Sequence, residues 1–115
     1  MQDQQEDLTV TVELTGPGEV VARVSGELDI RTVSPMLRTL GGLVGDDGLE
    51  LIRLDLSGVE FCDHAGLRAL NTLGMTAGAG RVCIVAAHPS VDMILRLCGL
   101  RTFLGHVAGA AACAG

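Results

Sequence analysis

The groups in this chain with chemistry to offer are four cysteines, three histidines and scattered carboxylates. Cys62, Cys83, Cys98 and Cys113 lie 21, 15 and 15 residues apart, so none forms the C-x-x-C pair of a zinc or thioredoxin-type site. His64, His88 and His106 share no ligand-like spacing. Asp55 stands late in an apolar run, where a phospho-accepting aspartate would stand. No companion acidic pair is apparent to hold magnesium, so it reads as structural. There is no G-x-S-x-G or H-E-x-x-H, and Gly78-Ala79-Gly80 lacks the Lys-Ser/Thr that would complete a phosphate cradle. These absences predict no enzyme, no metal and no cofactor. What remains is binding chemistry, concentrated in the stretch from Gly58 to Leu67. Asp63 stands just before a periodic segment, where its carboxylate can accept the N–H of Ala65 or Gly66 and meet the positive helix end. Gly66 allows close backbone approach, and Phe61 offers an apolar anchor. On these residues alone, a merely structural, well-capped helix fits equally well.

The elements that position this stretch follow from periodicity. Residues 8–14 alternate apolar and polar, Gly16-Pro17-Gly18 makes a turn, and 19–25 completes a hairpin. Further strands are expected at 51–56, 81–86 and 103–107, and helices at 33–44, 65–77 and 89–98. Thr32 or Ser34 can cap the first helix, Ser34 placing Pro35 at the first helical position. Pro89 plays that part in the third helix, which stops at Gly99, and Gly78 and Gly80 end the second. The order ββαβαβαβ implies an α/β fold with a mixed five-stranded sheet. Its loops at the ends of parallel strands, 26–31 and 58–67, are where such folds place function.

Composition bounds the rest. The 115 residues make one domain, 48% apolar, with Phe61 and Phe103 the only aromatics, so the core is aliphatic. All eight basic residues are Arg, scattered singly against 14 acids for a net charge of -6, which argues against nucleic acid as a partner. No signal-like start and no apolar run near the roughly 20 residues of a membrane span occurs. A cytoplasmic location with reduced cysteines is therefore expected. Residues 1–7 read as a flexible tail, 8–107 as the domain, and 108–115 as a short tail or helix of small residues.

Three motifs in order carry a resemblance over about residues 8–107. They are Gly26-Glu27-Leu28-Asp29 after the second strand, the run from Leu54 to Asp63 leading into Gly66-Leu67, and a Pro-started helix closing in Gly99-Leu100. Together they resemble the STAS domain family of anti-sigma factor antagonists. The resemblance implies helices mainly on one side of the sheet and a non-catalytic, switchable binding protein. The implied partner is an anti-sigma factor of the histidine-kinase-like ATPase type, met by Asp29, Asp63, His64, Ala65, Gly66, Leu67 and Arg68.

In the family this loop reads Asp-Ser-Ser-Gly-Leu or similar, and its second hydroxyl accepts phosphate from the kinase. Here it reads Asp63-His64-Ala65-Gly66-Leu67, so the acceptor position holds a methyl group. His64 itself either accepts phosphate, senses pH, or simply contacts the partner. The family also suggests redox control. Cys62 and Cys98 flank the expected surface and form an oxidisable pair if their Cα atoms lie within about 7 Å. Cys83, mid-strand, is expected in the core. Alternatives in the same family are a subunit of a lipid or anion transport assembly and a self-associating scaffold, and a homo-oligomer stays open. The 108–115 segment departs from the charged terminal helix common in the family.

Overall fold

Alternating apolar residues build one sheet with one dry face. The structure, a computed structural model, describes residues 7–108 together with the backbone of residues 2–4. Five strands, β1 (Gln2–Gln4), β2 (Leu8–Gly16), β3 (Glu19–Leu28), β4 (Leu51–Cys62) and β5 (Val82–Ala87), lie side by side in chain order. The pairs β1–β2 and β2–β3 are antiparallel, and β3–β4 and β4–β5 are parallel. Parallel neighbours need a crossover, supplied by α1 (Val33–Val44) before β4 and α2 (His64–Ala77) before β5, and α3 (Pro89–Leu97) follows β5.

Val10, Val20, Ala22, Val24, Ile52, Leu54 and Ile84 point to the same face. They join Met36 and Leu40 of α1, Leu70 and Leu73 of α2, and Val91 and Leu95 of α3 in a single buried cluster. The helices thus share one side. The other face is polar: Arg23 pairs with Glu13 at 3.3 Å and Asp55 at 3.7 Å, and Arg53 pairs with Glu19 at 2.7 Å. Such exposed pairs add little stability each, but they keep that face soluble. No helix of the described residues is long and apolar enough to cross a membrane.

The helix ends follow side-chain chemistry. Thr32, not Ser34, precedes the first turn of α1, and its hydroxyl is spent elsewhere, donating to the Glu27 carbonyl at 2.8 Å. His88 caps α3, its Nδ1 accepting the Ser90 N–H at 3.0 Å, with Pro89 at the first helical position. At the other end Leu100 N–H donates to Leu95 O and Gly99 N–H to Arg96 O, the paired bonds of a Schellman stop.

Two strand expectations change. The segment 103–107 does not join the sheet as a fifth strand. It forms a small hairpin, β6 (Thr102–Phe103) and β7 (His106–Val107), because Leu104 and Gly105 turn in the left-handed region. The hairpin covers the free edge of β5 through Ile84 N–H to Leu104 O at 2.8 Å. The fifth strand is instead β1, from within the segment read as a tail. Strand β4 also runs past Ser57-Gly58 to Cys62, since the register shifts there absorb the apparent turn. Asp55 Oδ1 holds that irregularity by accepting the Ser57 N–H at 3.0 Å and its hydroxyl at 2.6 Å. Residues 109–115 lie outside the described residues.

Gly26 has a φ of 109°, and a Cβ there would collide with the Asp7 carbonyl. Gly26→Ala is expected to lose about 1–3 kcal/mol. In urea unfolding this would lower the midpoint with the slope unchanged.

Candidate functional site

The loop from β4 into α2 is built on one residue of the neighbouring strand. Leu28, the last residue of β3, pairs with Cys62 in register, and its carbonyl accepts the Asp63 N–H at 3.2 Å. Asp63 then caps α2, as the sequence suggests: its Oδ1 accepts the Gly66 N–H at 2.9 Å. Gly66 rests against the same Leu28. A Cβ there would stand 2.8 Å from Leu28 Cγ and 2.9 Å from its carbonyl oxygen, so the position tolerates hydrogen alone. Leu67 is buried and fixes the helix to the core, while His64 and Arg68, one turn apart, are exposed. Ala65 lies half-buried in the first turn, reachable from solvent.

The turn after β3 leaves the same end of the sheet. Asp29 is buried, its Oδ1 accepting the Arg31 N–H at 2.9 Å and its Oδ2 pairing with the Arg31 guanidinium at 2.8 Å. Arg31 also reaches Asp7 at 2.7 Å and Glu27 at 3.0 Å. The Arg31 side-chain hydrogen bond holds the Asp29 carboxyl below its ordinary value, outweighing the opposing effect of burial. Asp29 is therefore a fixed post of the loop. Arg31 went unremarked in the sequence, although acids at 27 and 29 two residues apart, followed by Arg at 31, carry the signal.

Two clefts flank His64. One, of about 570 Å³, runs between the end of β4 and α3 and is lined by Phe61, His64, Met93 and Leu97 among others. The second, of about 460 Å³, lies toward the 98–104 segment and takes in His64, Arg68, Asn71 and Cys98. Phe61 is not an internal anchor: beyond the irregularity in β4 it is Val59 and Cys62 that point inward, leaving Phe61 half-exposed. A further pair, unmarked in the sequence, ties the hairpin to α3: His106 Nε2 lies 2.6 Å from Asp92 Oδ1.

Cys62, Cys83 and Cys98 are free thiols. Cys62 is buried and donates to the Asp63 carbonyl at 3.6 Å. Burial, and then the Asp63 charge, push its thiol up to about 12, away from the reactive thiolate. Cys98 is exposed and lines the second cleft, whereas Cys62 lines the first. Cys83 is half-buried, not in the core, because β5 turns Val82 and Ile84 inward. Cys113 lies outside the described residues. Among the described residues no group of three or more His, Cys, Asp or Glu is placed to hold a metal.

Comparison with known proteins bears on this geometry. The family model of the STAS domain matches residues 10–110. The anti-sigma-F factor antagonist RsfB of Mycobacterium tuberculosis is 33% identical over 86 residues, which cover 75% of this chain and 69% of that protein. An anti-sigma factor antagonist from Mycobacterium paratuberculosis superposes with a TM-score of 0.70 at 31% identity, covering 80% of this chain and 78% of that one. The Bacillus cell fate determinant SpoIIAA in its phosphorylated form gives a TM-score of 0.62 at 19% identity, over 79% and 84% of the two chains, a likeness of fold.

Two outcomes follow for the site. Because its pKa is lowered on folding, Asp29 contributes stability above about pH 4, lost as acid protonates it. Asp29→Asn should be less stable near neutral pH and lose less stability than wild type on acidification, read by urea midpoints across the acid range. Alkylation with iodoacetamide near neutral pH, followed by mass spectrometry, should modify Cys98 rapidly and leave Cys62 intact until the protein is unfolded.

Proposed function

The chain belongs to the STAS domain family, and on that premise we propose that it acts as an anti-sigma factor antagonist in the cytoplasm, binding its partner with no catalytic step of its own. The partner is an anti-sigma factor of the histidine-kinase-like ATPase type. The docking face is the start of α2 with the turn after β3, where Asp63 and Asp29 order the backbone and His64 and Arg68 extend toward the partner.

The observation that carries this reading is Ala65, half-accessible in the first helical turn between the capping Asp63 and the tightly seated Gly66. A phosphate at such a place adds about -1.5 to -2 charges and three acceptor oxygens to a patch shaped by a small neutral side chain. Transfer of the terminal phosphoryl group of ATP needs a nucleophilic oxygen, and a methyl group has none. Ala65 therefore holds the face in the form that binds, and ATP does not release the partner through this position.

The test uses the ATPase-type anti-sigma factors encoded in the same genome, each purified and titrated against the full chain with magnesium and ATP. Wild type should form a complex that persists in ATP with no gain in mass. Ala65→Asp should weaken binding by at least about tenfold, or about 1.4 kcal/mol, and Ala65→Ser should acquire one phosphate and let go. Stoichiometric phosphate on the wild-type chain would contradict the proposal, as would full-strength binding by Ala65→Asp.

A further inference from the structure

Beside the start of α2 three large apolar side chains stand in water together: Phe61 at 49% exposure, Met93 at 58% and Leu97 at 76%. A single exposed Leu is ordinary, but a cluster around one cleft marks an interaction surface. Met93 and Leu97 are one turn apart on α3, so the apolar strip follows the helix, and Phe61 faces it from the end of β4. The carboxylates in the cleft wall are Glu60 and Asp63, and no Arg lines it. Around the corner, Asp7, Glu27 and Asp29 share the single Arg31. The cleft is apolar in the middle with Glu60 and Asp63 on its strand side, while His64 in its wall and the exposed Arg68 beyond it stand on α2.

We propose that the cleft receives an amphipathic α-helix of the partner protein, with apolar side chains on the Phe61–Met93–Leu97 strip and flanking Lys or Arg toward Glu60 and Asp63. The proposal rests on the anti-sigma reading, because Asp63 and His64 belong both to the α2 docking face and to the cleft wall. The pairing of β4 with β5 ends at Leu56, and beyond it α3 takes that side, the Ser90 hydroxyl donating to the Val59 carbonyl at 2.6 Å, so an extended peptide would meet a helix where a strand edge would need to be free. A polyproline segment would want a groove lined by several aromatic rings, and Phe61 is the one aromatic in the wall. The walls are a helix on one side and a strand end on the other, with Phe61, Met93 and Leu97 projecting between them. That suits a helix presenting residues at i, i+4 and i+7. Met93, with its flexible thioether, adapts to whichever side chains arrive.

The same titration with the full chain tests it. The double variant Met93→Asp/Leu97→Asp should bind the anti-sigma factor at least about tenfold more weakly while melting at the wild-type temperature. Glu60→Lys should weaken binding and reduce its dependence on salt. In the wild-type chain the Met93 methyl resonance should shift when partner is added, a readout that needs no variant to fold. Wild-type affinity in the double variant, with a Met93 methyl unmoved by partner, would overturn the helix-in-cleft inference and leave the docking reading intact if Ala65→Asp still fails to bind. No binding of any of these anti-sigma factors by wild type would overturn both. A wild-type dimer that the double variant dissociates would show that a second copy of this chain fills the cleft, against the inference.

Discussion

The contact on which the rest depends is the seating of α2 against Leu28. One carbonyl and one side chain at the end of β3 meet the Asp63 N–H and the bare Cα of Gly66. The strand pair fixes Leu28 opposite Cys62, so the helix start cannot slide without breaking the sheet register. The Asp63 carboxylate then satisfies a first-turn N–H that would otherwise lack a partner. The residue after Leu28 is Asp29, the post of the Arg31 cluster. Two loops far apart in sequence are thereby joined back to back.

Order, more than net stability, is what the charged groups here supply. Arg31 is largely solvent-facing, and exposed ion pairs contribute little each. Three carboxylates converging on one guanidinium nevertheless hold the turn in a single arrangement, with the Thr32 hydroxyl bridging to the Glu27 carbonyl. A surface already ordered before its partner arrives loses less conformational entropy on binding. The buried thiol of Cys62 fits the same picture: it packs beneath the helix start as a small apolar group.

Much of this was legible in the residues. Alternation over 8–14 and 19–25, and the 3.6-residue repeat over 33–44, place strands and helix because each pattern has one face to bury. Pro89 and Gly99 mark the ends of α3 through backbone chemistry that depends on neighbours in the chain only. Asp63 was readable for the same reason. Long-range facts were not. Ser57-Gly58 looks like a turn until a neighbouring strand absorbs it as a register shift, and a second shift, between Val59 and Phe61, turns Phe61 outward and Cys62 inward. Glu27 and Asp29 beside Arg31 are a local signal, but its reach to Asp7 and the His106–Asp92 pair span 24 and 14 residues, beyond any local pattern. The last strand became a hairpin because Leu104-Gly105 adopts left-handed geometry, which Leu does not announce.

The central claim, a docking face at the start of α2 with no hydroxyl to modify, is tested most directly by amide hydrogen exchange of the full chain with and without a bound ATPase-type anti-sigma factor, in the presence of magnesium and ATP. Added protection should concentrate at residues 27–32 and 62–68 and persist for as long as the complex is incubated. Protection confined to the polar face of the sheet, around Arg23 and Arg53, or protection of 62–68 that fades as ATP is consumed, would contradict it.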